Sequence, residues 1–370
     1  MDSLSRRQFL YRTAMAACAS CTGISVLAGP AGKLARVEAR YYRKLDGKKV
    51  QCELCPWRCI VEPGRRGKCQ VRENRNGKYI SLVYGKIASH HNDNIEKKPF
   101  FHLLPGTMSF SVATAGCNVT CKFCQNWELA QRRPEELRPV DFTPADVVKY
   151  AKAFGSASIA FTYNEPTIYT EFIVDTATLA REAGIKSVMI SNGFINKSPL
   201  EDLCRVIDGY KVDLKSFSED YYRDVVGGRL GPVLETLRML KTKKVWTEIV
   251  YLTVTTLNDN DTEVREMARW IRNHLGDDVP LHFSRFYPRY RLRNLPPTPI
   301  ATLERLRGIA LDEGLKFVYL GNVPGHTGEN TVCPSCGRTL VRRVGYTIHE
   351  NHLKSGKCGF CNTVISGLWN

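Results

Sequence analysis

No stretch of the 370 residues is apolar for long enough to cross a bilayer. The nearest approach, Thr13 to Ala31, is Ala-rich, short and broken, so no membrane span is expected. Nor are the cysteines spread as bridge partners. A disulfide framework belongs to short secreted chains, whereas this one is neither short nor dominated by loops. Its fourteen cysteines fall in sets, which points to metals. Nucleic-acid binding needs a basic stripe interleaved with base-stacking aromatics. None is expected outside the N-terminal region, so no nucleic-acid partner is expected. The formal net charge of +16 is concentrated at the start, where residues 1–72 carry fifteen Lys and Arg against five Asp and Glu.

With 43% hydrophobic residues, the chain can bury one full-sized core and still carry small appendages. Residues 1–35 read as a leader, because Ser5-Arg6-Arg7-Gln8-Phe9-Leu10 looks like a twin-arginine export signal ahead of the weakly apolar stretch. A charged connector follows from Ala35 to Asp46, expected to be helical.

From Met108 the pattern alternates. Apolar runs at 109–114, 158–162, 186–190, 209–214, 245–250, 281–286 and 316–320 are separated by amphipathic stretches with punctuated ends. Thr143-Pro144 supplies an N-cap and a proline at N1, Val147, Val148, Ala151 and Phe154 make one face, and Gly155 ends the helix. Repeated strand–helix units demand parallel strands, right-handed crossovers and functional groups at the strand C-terminal ends. Pattern alone leaves open whether the sheet is an open barrel or doubly wound. The expected division is a connector and cysteine module over 36–107, a core over 108–325 and a terminal segment over 326–370.

Eleven cysteines form three sets. Cys52, Cys55, Cys59 and Cys69, with turns supplied by Pro56, Pro63, Gly64 and Gly67, fit either a closed zinc site or an auxiliary iron–sulfur cluster. Cys333, Cys336, Cys358 and Cys361 are two C-x-x-C knuckles around a hairpin-like run, the spacing of a zinc ribbon. Cys117, Cys121 and Cys124 lie on one loop with no fourth cysteine nearby. A four-iron cubane held by three thiolates leaves one iron open to another ligand. The run Cys-Asn-Val-Thr-Cys-Lys-Phe-Cys resembles the signature of radical S-adenosylmethionine (SAM) enzymes. That resemblance implies a partial (β/α)6 TIM-like barrel, flanked here by the N-terminal cysteine module and the C-terminal ribbon. It also implies a 4Fe-4S cluster and SAM chelated to the open iron.

Candidate cofactor-binding residues follow at strand ends. Asn164 and Glu165, in Phe161-Thr-Tyr-Asn-Glu-Pro166, stand where the superfamily often has Gly-Gly-Glu-Pro and grips the amino group of SAM; Glu165 could instead stabilise a helix N-terminus. Asn192, in Ser191-Asn-Gly-Phe194, and Asp213 and Lys215, in Asp-Leu-Lys, match segments that line the cofactor in pyruvate formate-lyase activating enzymes. Asp213 is then expected at a ribose hydroxyl and Lys215 at the carboxylate. Thr253 to Asn258 are expected to approach the same cavity, with Asn322 and Pro324 closing its mouth. His282, opening His-Phe-Ser-Arg-Phe-Tyr-Pro288, is either a contact of cofactor or substrate or a satisfied buried histidine.

In combination with Leu54-Cys-Pro-Trp57 and the terminal ribbon, these motifs resemble the radical SAM enzymes of the AmmeMemoRadiSam system over residues 48–370. The resemblance implies reductive cleavage of SAM and hydrogen abstraction from an unidentified small-molecule or protein substrate. The implied partners are a low-potential electron donor such as a flavodoxin or ferredoxin and proteins of that system. A glycyl-radical activase and a non-catalytic zinc scaffold or nucleic-acid module are the alternatives. Cytoplasmic chemistry is expected, and the leader makes export to the periplasm the alternative.

Overall fold

The computed structural model describes residues 34–369, so all but the last two residues of the expected leader fall outside the described residues. An eight-stranded sheet organises them: β1 (Ser89–Asn94), β2 (Met108–Ala113), β3 (Ser158–Phe161), β4 (Lys186–Ser191), β5 (Gly209–Asp213), β6 (Trp246–Thr253), β7 (Leu281–Arg285) and β8 (Val318–Gly321). Spatial order follows chain order, and β2 to β8 are parallel. β1 pairs antiparallel with β2, which makes the sheet mixed.

Six helices supply the crossovers: α1 (Pro144–Ala153), α2 (Thr170–Glu182), α3 (Lys197–Cys204), α4 (Leu230–Thr242), α5 (Asp261–His274) and α6 (Ile300–Asp312). Each buries one stripe against the sheet, as Val147, Val148 and Ala151 do in α1. Thr143 caps α1 through Asp146 N, with the Asp146 carboxylate returning to Thr143 N, so the expected start is also the observed one. Among the described residues, no helix is long and apolar enough to cross a membrane.

The connector is not helical. Val37–Glu38 pairs with Ile80–Ser81, and Tyr42–Lys44 pairs with Val50–Cys52. Ala39 and Tyr41 are buried on a period of two, while Arg40 between them reaches Glu171 and Asp175 on α2. Local charge suggested a helix, and tertiary pairing overrode it.

At the other end β9 (Thr331–Val332), β10 (Thr339–Val344) and β11 (Thr347–Asn351) form an antiparallel sheet. Arg343 of β10 is fully buried and reaches back to the main body, donating to Phe101 O at 2.9 Å with its guanidinium 4.2 Å over the Phe101 ring. The chain then returns, with Leu368 N donating to His102 O at 2.8 Å.

Candidate active site

Cys117, Cys121 and Cys124 lie on the loop that leaves β2, and all three line a cavity of about 360 Å³. The loop is held from three sides. Asn164, just past β3, donates through Nδ2 to Thr114 Oγ1 (3.0 Å) and Gly116 O (3.1 Å) and accepts from Thr114 N (3.2 Å). Thr120 N and Lys122 N donate to Val226 O and Val225 O, both at 2.9 Å. Asn118, which sequence reasoning missed, accepts from Asn192 Nδ2 (2.9 Å) and donates to Phe194 O (2.8 Å). Asn192 Nδ2 also lies 3.9 Å from Cys117 Sγ. Phe123 is buried and lines the cavity, giving it an apolar wall beside the thiols.

Glu165 sits across from the thiols. Its carboxylate accepts from Thr167 N (2.9 Å), Ser191 Oγ (2.7 Å) and Asn192 N (2.8 Å), joining the ends of β3 and β4. The helix-cap reading is met at Thr167 N, and Glu165 also lines the cavity. Three bonds leave roughly one of a carboxylate's four acceptor sites free. Burial pushes its pKa up, against the pull of those donors. Next to it Tyr163 adopts φ of 70°, uncommon for an aromatic residue, and its hydroxyl donates to Asp93.

On β5 the period of two that turns Asp213 to the cavity also brings in Lys211, a residue the motif reading passed over, and Lys215 follows just past the strand end. Asp213 bridges the two ammonium groups, bonding Lys215 at 2.7 Å through one oxygen and Lys211 through the other. Burial opposes charge on Asp213, but the two lysines outweigh it and hold its pKa at about 2. Lys98, from the β1–β2 connection, adds a third cation to the wall. Burial brings it down to about 8 although it pairs with Asp93 at 2.6 Å.

His282 lines the cavity as a satisfied histidine, its Nε2 2.8 Å from Glu248 Oε2. Glu248 also accepts from Phe101 N, His102 N and Trp246 Nε1. It is an inward-facing acid in an apolar strand, a signal that alternation along β6 carried. Thr253 to Asn258 do not line the cavity. Instead, Asn258 Nδ2 donates to Lys215 O at 2.8 Å and braces the end of β5 from outside. Asn322 lines the cavity and Pro324 does not.

This buried cluster predicts acid lability. Burial pushes His102 down to about 4 and also lowers His282; Glu248 is lowered as well, because His282, His102 and backbone donors outweigh its own burial. All three folded values lie below the unfolded ones, so the unfolded chain binds more protons in acid. Stability should be complete above about pH 6.5 and fall toward pH 4 as the unfolded histidines charge, with Glu248 adding a loss below about pH 4.3. Thermal melts across this range check it, and a melting temperature flat to pH 4 would contradict it.

The terminal cysteines are tighter. Cys333 Sγ and Cys361 Sγ are 3.6 Å apart, Cys336 Sγ and Cys358 Sγ 3.7 Å, and all four lie within 4.8 Å of one another. A metal with thiolate bonds of about 2.3 Å has tetrahedral edges of about 3.8 Å. This group is arranged for one ion. Its hairpin turn, Gly345-Tyr346, forms part of the cavity wall, held by Glu329 accepting from Gly345 N at 3.1 Å.

Beside the cysteine loop lies a short basic strip that the sequence reading did not single out. Tyr290 stacks on Trp127 with centroids 5.4 Å apart, and Arg291 N donates to Lys122 O at 3.0 Å. Arg289, Arg291 and Arg293 are exposed. The strip is basic, and its one aromatic, Tyr290, is already occupied by Trp127.

Residues 111–271 match the radical SAM superfamily. The chain is 44% identical over 330 residues to an uncharacterised protein of Methanocaldococcus jannaschii, covering 89% of this chain and 98% of that one. The chain belongs to the radical SAM superfamily. Within it, pyruvate formate-lyase 1-activating enzyme of Escherichia coli is 23% identical over 220 residues, covering 55% of this chain and 89% of the enzyme. Among solved structures, a radical SAM methyltransferase from Sphaerobacter thermophilus aligns with a TM-score of 0.47 at 14% identity, covering 86% of this chain and 85% of that one. The protein is thus a radical SAM enzyme related to the pyruvate formate-lyase activases, a family that implies an iron–sulfur cluster and SAM.

Proposed function

We propose that Cys117, Cys121 and Cys124 hold a 4Fe-4S cluster and that the adjoining cavity binds SAM, with hydrogen abstraction from a small molecule or protein as the outcome. The observation that carries this reading is three thiols, with no fourth cysteine on their loop, opening onto a cavity with an available carboxylate at one side and a Lys–Asp–Lys row at the other. When bound, the cluster and SAM supply a 5′-deoxyadenosyl radical by one-electron reductive cleavage. The chain's part is to orient and to exclude water. Glu165 offers its remaining acceptor site to the ammonium of SAM. Lys215 lies near Cys121 and Cys124 and can meet the carboxylate, leaving Asp213 for a ribose hydroxyl. Asn164 and Asn192 act one step back, by fixing the cysteine loop.

The mixed sheet is read as a partial (β/α)6 barrel extended by a seventh parallel strand, β8, and by the antiparallel edge strand β1, and the terminal group as a structural zinc ribbon. The exposed basic strip beside Lys122 suits an acidic, low-potential donor of the flavodoxin or ferredoxin kind. Similarity to the activases supports a second reading, in which the hydrogen donor is a glycine of a partner protein.

Glu165→Ala tests the binding role. A hydrogen bond to a charged group contributes about 1.5–3 kcal/mol, so SAM affinity should fall about ten- to a hundredfold with iron content unchanged. Equilibrium binding measured beside iron analysis decides it. Unchanged affinity would leave Glu165 with only its strand-bridging role.

A further inference from the structure

The N-terminal cysteines are gathered, yet not drawn together as the terminal four are. Cys52 N donates to Cys59 O at 2.9 Å, closing the first turn of the module. Cys52 and Cys55 are buried, and all four are free thiols. Among the described residues, only the terminal group brings three or more thiol sulfurs within 4.8 Å of one another. In this the N-terminal set resembles the Cys117 triplet. A lone zinc collapses its sulfurs to edges of about 3.8 Å, whereas a cubane puts an iron between each thiolate and the centre and holds the sulfurs further apart.

Two fully buried donors point the same way. Arg72 Nε donates to Ile168 O and one terminal nitrogen to Glu171, but its other terminal nitrogen has no partner. Arg72 O accepts from Gly67 N at 3.1 Å, two residues before Cys69. The Tyr79 hydroxyl is likewise without a partner, and a Cβ built on Gly67 would lie 2.6 Å from that hydroxyl and 3.7 Å from Cys59 Sγ, so both border the same small space. Buried donors left unpaired are costly, so the space they face is expected to hold acceptors. Neither donor has a cysteine sulfur as a hydrogen-bond partner. The inorganic sulfides of a cluster are additional acceptors, and a zinc ion brings none.

We propose that Cys52, Cys55, Cys59 and Cys69 hold a second, redox-active 4Fe-4S cluster, with Arg72 and Tyr79 donating to its sulfur atoms. This deepens the radical reading, because the module lies directly behind the catalytic loop. A Cβ on Gly116 would come 2.8 Å from Cys69 O and 2.6 Å from Val71 Cγ1, and Trp57 Nε1 donates to Asn118 O at 2.7 Å. Gly116 itself has φ of 90°, so the loops meet backbone to backbone at the residue before Cys117.

The test uses the full chain with Cys117, Cys121 and Cys124 all replaced by alanine, reconstituted anaerobically. It should keep about four iron and four acid-labile sulfides per chain, bleached by dithionite, beside one zinc. Two zinc and no iron would overturn the inference. Failure here is separable from failure of the radical reading: a native chain whose iron is lost entirely in the triple variant refutes only the second cluster. Tyr79→Phe, which keeps the ring, should leave the iron count unchanged and move the midpoint potential of the retained cluster to a more negative value. An unmoved potential would remove Tyr79 from the site.

Discussion

Replacing any one of Cys117, Cys121 or Cys124 with alanine is expected to abolish SAM cleavage and the spectrum of the catalytic cluster. The loop offers three thiols, and among the described residues no other cysteine lines the cavity. Two remaining ligands cannot keep a cubane in place with an open iron. The loop's own scaffold should survive, because Asn164, Asn118 and the Val225–Val226 carbonyls hold it without the thiols. Circular dichroism and melting temperature should therefore change little while 5′-deoxyadenosine production disappears. A single variant that retained normal production would remove its cysteine from the assignment.

The second large effect is expected at the opposite end of the chain. Cys358 is fully buried in the tightly spaced terminal group. Its replacement by serine should release about one zinc per chain and open residues 332–369 to proteolysis, since a segment this small has too little core to keep its fold without metal. Activity should fall as well. Loosening β10 withdraws Arg343 from Phe101 and releases the Gly345-Tyr346 turn from the cavity wall. The iron content of the triplet should not change, which separates a lost wall from a lost cluster. Unaltered protease resistance in the zinc-depleted protein would contradict this account of the ribbon.

What could be read from residues alone was whatever repeats locally. Strand–helix alternation, the proline-led helix start at Thr143 and both C-x-x-C knuckles depend on neighbours a few positions apart, and the structure has the seven parallel strands within a few residues of the runs that suggested them. β1 was not legible. Ser89-His-His-Asn-Asp-Asn94 is polar throughout and becomes a strand only by pairing along β2. The connector failed for a related reason, because Arg40 is held by Glu171 and Asp175, more than a hundred positions away.

Asn164, Glu165, Asn192, Asp213, Lys215 and His282 all line the cavity, whereas the sequence reading passed over Lys98 and Lys211 in its wall and Asn118 and Glu248 behind it. Lys211 and Glu248 could have been reached by extending the period of two inward along β5 and β6. Lys98 and Asn118 lie on loops, where no period exists to extend. The strip at 289–293 was visible as Arg289-Tyr-Arg-Leu-Arg293, and its position beside the cysteine loop was not.

The most direct test of the account is the yield of 5′-deoxyadenosine and methionine from the anaerobically reconstituted chain given SAM and a low-potential one-electron reductant. The account predicts both products in equal amounts, formed only when reductant is present. An iron-loaded, folded chain that binds SAM and releases neither would contradict it.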